Sequence, residues 1–394
     1  MPFGVALAAS LGARVIKIED LVGDPMRTLM AIPEGGGHKT MDGKESIAVD
    51  LRTPEGQQII YKIVSKADVF VNGFRPGVVE RLKVDYETLK GINPRLVYLH
   101  AAGYGASGPY SHRPMYAQTA AASVGGVYRN VGQWLDPRVA RGRSVQGLKE
   151  LAPRLSSVAD GDANAALAVG TALLLAIFNQ KRTNQGQYGV TTMIGGNAYA
   201  YSDDFNTFQG KPPIPRVDPE KYGLHALYRL YQAKTGWVFL ACPAQKEWER
   251  FCTAARRDDL LHDRRFASPG ARRKHEEELA SILAITFQEK GAAEWEQTLS
   301  PEGVGCVKVF EGGVSEFTCT DPVLRETGLV VEMDHPIFGR TLRHGLPVAF
   351  SETPGRLATG CKVGQHTDAL LTELGYTADQ VRALKDKKVV ASSS

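Results

Sequence analysis

Ser46-Ile47-Ala48-Val49-Asp50-Leu51 runs into Arg52-Thr53-Pro54-Glu55, and Ile59, Ile60, Ile63 and Val64 follow. The first six residues read as a strand. Thr53 is then a helix N-cap, and Pro54 takes the first helical position, where a missing N–H leaves nothing unpaired. The four later apolar residues are spaced for one helix face. A second strand, Ala67-Asp68-Val69-Phe70-Val71, comes next, then a Gly/Pro turn at 73–77, a helix, and the strand Leu96-Val97-Tyr98-Leu99-His100. Upstream, a helix over Gly4 to Leu11 stops at Gly12 and leads into the strand Ala13 to Glu19. Strands alternating with helices at this spacing predict βαβ units and a parallel sheet, an α/β fold. Ligands of such sheets bind beyond the C-terminal strand ends. The loops Glu19–Arg27, Arg52–Thr53, Asn72–Arg75 and Ala101–Tyr110 are therefore the expected functional loops.

At 394 residues the chain is long for one core, and two domains are expected. Composition shifts at Gly210-Lys211-Pro212-Pro213, the expected boundary. From 220 to 325, short strands such as Trp237 to Ala241 alternate with charged helices, one of them over Gly270 to Lys290. The stretch Gln133 to Ser157 is basic and irregular and reads as a surface excursion. Near the end, a helix opens at Thr367 and another behind the capping box Thr377-Ala378-Asp379-Gln380, while the polar tail Lys385 to Ser394 is expected to fray.

Lys plus Arg number 47 against 43 Asp plus Glu, a net charge of +4 spread along the chain. Without a concentrated basic face this argues against nucleic acid, yet a few well-placed arginines still suit a small polyanion. The five cysteines are odd in number and contain no CxxC pair, which argues against a metal site or a disulfide framework and for the cytoplasm. No basic residue precedes Arg14, so the apolar N-terminus lacks the pattern of a signal peptide. The apolar run 163–178 is shorter than the ~20 residues of a membrane span, so no membrane association is expected.

That run begins at Ala159-Asp160-Gly161-Asp162-Ala163-Asn164. Asp162 reads as the start of a buried helix, facing unpaired N–H groups and the positive end of the dipole. Both favour the ionised carboxylate, the form that attacks a carbonyl. Any Asp helix cap has the same description. No GxGxxG precedes Glu19, and neither GxSxG nor HExxH occurs, which sets nicotinamide binding, a hydrolase elbow and a zincin aside. Arg27, Arg52, Arg75 and Arg81 remain on the predicted strand-edge loops, suited to bidentate phosphate contacts.

Several segments carry a resemblance. They are Gly12 to Glu19, Gly23-Asp24-Pro25-Met26-Arg27, Gly43 to Leu51, Lys66 to Val71, Phe74-Arg75-Pro76-Gly77, Asn93 to Tyr98, Gly103 to Pro109, Gly186-Gln187 and Gly364-Gln365-His366-Thr367. In order and spacing the chain resembles the family III coenzyme A transferases, the CaiB/BaiF group. The resemblance implies a Rossmann-like large domain with a parallel sheet, made of 1–210 and 330–394, and a smaller α+β domain at 220–325. It also implies an interlocked homodimer, no metal and no permanently bound cofactor. Coenzyme A or an acyl-CoA, with a carboxylic acid, would be substrates. The nucleophilic aspartate, aligned back from Gly186-Gln187, falls on Asp162, with Asn164 two residues on and Asp160 as the fallback. The implied CoA contacts are Arg27, the turn Val49 to Arg52, Gly73, Phe74, Arg75, Arg81 and the turn from Arg113 to Tyr116.

This chain departs from the family pattern at four places. Gly73 stands before Phe74 where an asparagine is usual, Pro114 replaces a lysine, and Ala117 replaces an acid. The family also opens with a strand ahead of the Pro2-Phe3-Gly4 helix; either the sequence starts short or a central strand is lost, and in the second case its neighbours are expected to lack a ladder partner. An α-methylacyl-CoA racemase, with a His/Asp acid–base pair, shares the fold and is the alternative activity. A silent CoA-binding paralogue is the alternative outside catalysis.

Overall fold

The computed structural model describes residues 2–28, 40–125, 161–213 and 222–393. The 133–157 stretch and Asp160 lie outside them. The described residues form two compact units: one takes 2–125, 161–206 and 321–393, and the other Thr207–Thr320.

The first unit opens with helix α1 (Pro2–Ser10), strand β1 (Val15–Glu19), strand β2 (Lys44–Val49) and helix α2 (Pro54–Val64). Thr53 Oγ1 accepts the Gly56 N–H at 3.0 Å, the expected cap. Gly56 packs so closely that a Cβ there would lie 2.1 Å from the Asp50 carbonyl oxygen. Next come β3 (Val69–Asn72), the short α3 (Val78–Arg81), α4 (Tyr86–Ile92), β4 (Val97–Ala102), α5 (Ala117–Ser123), α6 (Gly161–Thr183), β5 (Gln187–Thr192) and α7 (Met193–Ala200).

The strands do not join into the one parallel sheet that the alternation predicts. β1 pairs in parallel with β2, and β3, β4 and β5 form a separate parallel sheet. Among the described residues no ladder links β1 to β3. Both are half-buried along most of their length, whereas β2 and β4 are mostly buried. Alternation along a strand separates the two faces. Phe70 and Tyr98 point to the side of α2 and α4; Val69, Val71 and Leu99 point to α1 and α6. α2 serves both sheets: Ile59 packs with Ile47 and Val49, while Ile60 and Val64 pack with Leu96 and Tyr98.

α6 is longer than its apolar run and only partly buried, a correction to its reading as a buried helix. Its 23 residues are long and apolar enough, by length and composition, to cross a membrane. Ala165, Val169 and Leu173 are buried, but Leu167, Leu174, Leu175 and Phe178 are more than half exposed.

The second unit holds an antiparallel sheet of β6 (Gly223–His225), β7 (Tyr228–Gln232), β8 (Trp237–Ala241) and β9 (Gly305–Lys308). Its core is aromatic, with Trp248, Phe251, Phe266, Phe287 and Trp295 fully buried. The charged helix expected over 270–290 is two helices, Pro269–Lys274 and Glu276–Phe287, which meet at the non-helical His275.

The chain returns to the first unit through the hairpin β10 (Val330–His335) and β11 (Gly339–His344), then α8 (Thr367–Glu373) and α9 (Ala378–Asp386). The capping box forms as expected, with Thr377 N–H to Gln380 Oε1 at 2.9 Å and Gln380 N–H to Thr377 Oγ1 at 3.3 Å. The tail is not frayed. Val389 and Val390 are buried, and β12 (Val390–Ala391) pairs antiparallel with β2, Val390 opposite Val49.

Candidate active site

A cavity of about 230 Å³ opens at the C-terminal ends of β3, β4 and β5. The turn after β3 gives it Gly73, Phe74 and Arg75, the segment before α5 gives it Arg113, and α6 gives it Ala165 and Val169. Among the lining residues none is a histidine. No group of three His, Cys, Asp or Glu placed to hold a metal occurs among the described residues.

Asp162 is exposed and lies in the first turn of α6. Gly161 is already helical, so Asp162 is inside the helix rather than its cap, where first-turn N–H groups still lack intrahelical partners. Residues three and seven apart share a helix face. Asp162 is therefore on the stripe of Ala165 and Val169, one turn above the part of α6 that lines the cavity.

That turn is anchored by a residue the sequence did not mark. Asn197 of α7 is fully buried. Its Nδ2 donates to the carbonyls of Gly161 at 3.2 Å and Met193 at 2.8 Å, and its Oδ1 accepts from Asn164 Nδ2 at 3.2 Å. Close packing permits this network: a Cβ on Gly161 would sit 3.0 Å from the Ala117 carbonyl oxygen, and one on Gly196 would sit 3.1 Å from that of Asn164. The signal for it is Gly195-Gly196-Asn197, glycines and one polar side chain inside an apolar helix.

Gly73, Phe74, Arg75 and Arg113 thus come together. Arg113 stacks its guanidinium over Tyr110 at 3.9 Å. Tyr116 is exposed at the head of α5, next to the cavity-lining Met115. Arg81 ends α3 in solvent and is not among the lining residues.

Arg27, Val49 and Arg52 belong to the β1–β2 half. Arg27 is only 3% exposed. Its Nη2 and Nε hold both oxygens of Glu19 at 2.8 and 2.9 Å, and its Nη1 donates to the Cys361 carbonyl at 2.9 Å. Burial alone would raise the Glu19 carboxyl, but the hydrogen bonds from Arg27 and Ser46 and the Arg27 charge outweigh it and hold it below the ordinary range. A guanidinium engaged in this way is a structural ion pair rather than an open phosphate contact. Val49 lies in the sheet opposite Val390. Arg52 is exposed and makes a bidentate pair with Asp50 at 2.7 and 2.9 Å.

The frame is an α/β unit with its cavity at the C-terminal strand edges, where such sheets bind ligands. The chain belongs to CoA-transferase family III, which it matches over residues 1–367. It is 27% identical over 399 residues to an (R)-2-hydroxy-4-methylpentanoate CoA-transferase of Clostridioides difficile, covering 96% of this chain and 93% of that protein. To a formyl-CoA:oxalate CoA-transferase of Escherichia coli O157:H7 it is 26% identical over 429 residues, covering 99% and 95%. A crystal structure of a CAIB/BAIF family protein from Brucella suis superposes with a TM-score of 0.68 at 24% identity, covering 95% of each chain.

Proposed function

We propose that this protein transfers coenzyme A between an acyl-CoA and a carboxylic acid, with Asp162 as the nucleophile. The placement of Asp162 carries the reading: it lies one helical turn above a cavity that also gathers Phe74, Arg75 and Arg113. A carboxylate oxygen of Asp162 attacks the thioester carbonyl, the C–S bond breaks, and the electron pair leaves on the CoA thiolate. The thiolate then attacks the aspartyl carbonyl of the mixed anhydride and releases the donor as its carboxylate. The acceptor carboxylate enters by the reverse route and leaves as its CoA thioester. At about 230 Å³ the cavity falls below the ~300–1,000 Å³ that encloses drug-sized ligands, so it holds only part of an acyl-CoA.

The test is mass spectrometry after incubation with formyl-, acetyl-, propionyl- and succinyl-CoA, followed by hydroxylamine or borohydride. The expected label is on the peptide carrying Asp162. Label on another carboxylate, or Asp162→Ala exchanging CoA at the wild-type rate, overturns the assignment. The names of the relatives support a transferase, and no histidine lining the cavity favours the racemase reading.

The exposed Leu167, Leu174, Leu175 and Phe178 of α6 support, as part of the same proposal, a second copy of this chain as their cover, an interlocked homodimer. Light scattering without detergent should give twice the chain mass. A monomer, or particles that disperse only in detergent, would remove this part.

A further inference from the structure

The Phe74 peptide is held at both ends. Its N–H donates to Asn72 Oδ1 at 3.2 Å, and its carbonyl oxygen lies 2.8 Å from His100 Nε2. Both holding side chains are buried, Asn72 at 3% and His100 at 7% exposure, and they are register partners on the adjacent parallel strands β3 and β4. A carbonyl oxygen only accepts, so Nε2 must carry the proton in this contact. The other ring nitrogen, Nδ1, then accepts in the neutral imidazole, and Tyr188 presents its hydroxyl to it at 3.2 Å. Tyr188 is itself fixed by stacking on Tyr98, with ring centroids 5.7 Å apart. The chain Tyr188 O–H to His100 to the Phe74 carbonyl therefore selects one tautomer, and that tautomer fixes one turn. The fixed turn presents Phe74, 42% exposed, and Arg75 to the cavity.

We propose that His100, oriented by Tyr188, is a positioning residue for acyl-CoA binding and acts through the Phe74 carbonyl without touching the ligand. This rests on the reading of the cavity as the acyl-CoA site. The test is titration calorimetry with coenzyme A on the full chain, with melting temperatures as the control for folding. His100→Ala frees the turn and is expected to weaken CoA binding about tenfold, the effect of one buried hydrogen bond. His100→Gln returns an N–H donor toward the same carbonyl and is expected to restore most of the affinity. Tyr188→Phe keeps the ring packing, releases the tautomer and is expected to weaken binding about threefold.

CoA affinity in His100→Ala equal to wild type overturns the proposal. So does a loss that tracks the fall in melting temperature across all three variants without rescue by glutamine. Absence of CoA binding by the wild type itself removes the reading of the site, and this inference with it. Binding by the wild type and by His100→Ala alike removes the inference alone.

Discussion

Asn164 Nδ2 donates to Asn197 Oδ1 across 3.2 Å, which ties the first turn of α6 to α7. The same Asn197 amide holds the Gly161 carbonyl beside Asp162, so the position of the proposed nucleophile depends on a side chain buried in another helix. Asn197→Leu removes the donor and the acceptor together and leaves the half-buried Asn164 amide without this partner, while the Gly161 and Met193 carbonyls keep their helical N–H partners. A buried polar group left unpaired costs about 1–3 kcal/mol, so a lower melting temperature is expected, along with slower labelling of Asp162. A variant that melts earlier but labels at the wild-type rate would show that the anchor acts on stability alone.

Arg75 and Arg113 both line the cavity and are exposed toward solvent. A guanidinium on a CoA phosphate makes charge-assisted bonds, so either residue changed to Ala is expected to weaken CoA binding about tenfold or more. The salt dependence of the affinity should fall with it. Calorimetry at two ionic strengths reads both effects, and an unchanged affinity would place the phosphates elsewhere.

Glu19 and Arg27 form a buried pair, 0% and 3% exposed at the side chains. Glu19→Gln leaves the guanidinium buried opposite a neutral amide, an expected loss of about 3–5 kcal/mol in denaturant unfolding. The pH sign follows from the lowered Glu19 pKa. The unfolded carboxyl, at its ordinary 4.5, binds its proton before the folded one does. The pair's contribution is therefore present above pH 4.5 and lost as pH falls through the lower folded value. Glu19→Gln should have a flatter acid limb than the wild type.

Lys44 is buried, with Nζ donating to the carbonyls of Pro2 and Thr40, each at 2.6 Å. Burial, with the Lys17 charge nearby, brings its pKa from 10.5 down to about 7. Between those values the unfolded chain binds more protons than the folded one, so this group makes stability rise with pH across that window. A neutral amine keeps two N–H groups, enough for both carbonyls. Lys44→Met removes the titration, so its stability relative to wild type is expected to fall from pH 6 to pH 9. A difference that does not change with pH would refute the assignment.

What the sequence made legible was local. Thr53-Pro54, the Thr377–Gln380 box and the strands around Val97 to His100 each depend on residues within a few positions, and each appears where it was read. The sheet break was not legible in the alternation itself, because β–α spacing says how strands are made and not which edges meet. Nor was β12: Val390 finds its pairing partner, Val49, at the other end of the chain. At the site, the surroundings of Asp162 read only as a helix start, and its proposed role came from the alignment with Gly186-Gln187, whereas Asn197 has its meaning only once α7 lies against α6. Arg27 looked like a free strand-edge arginine because the folding back of its loop onto Glu19 has no sequence signature.

The missing ladder between β1 and β3 leaves the first unit with two sheets joined through side chains, those of α2 and of Ile18 on β1, which packs against both cores. One sheet, β3 to β5, bears the cavity and its arginine-bearing turn; the other, β1, β2 and β12, is closed by the Glu19–Arg27 pair and the chain's end. Hydrogen exchange should then resolve two opening energies, the β1–β2–β12 amides exchanging at the lower one. Damage to that sheet would loosen the protein and leave the cavity-bearing strands β3 to β5 in register.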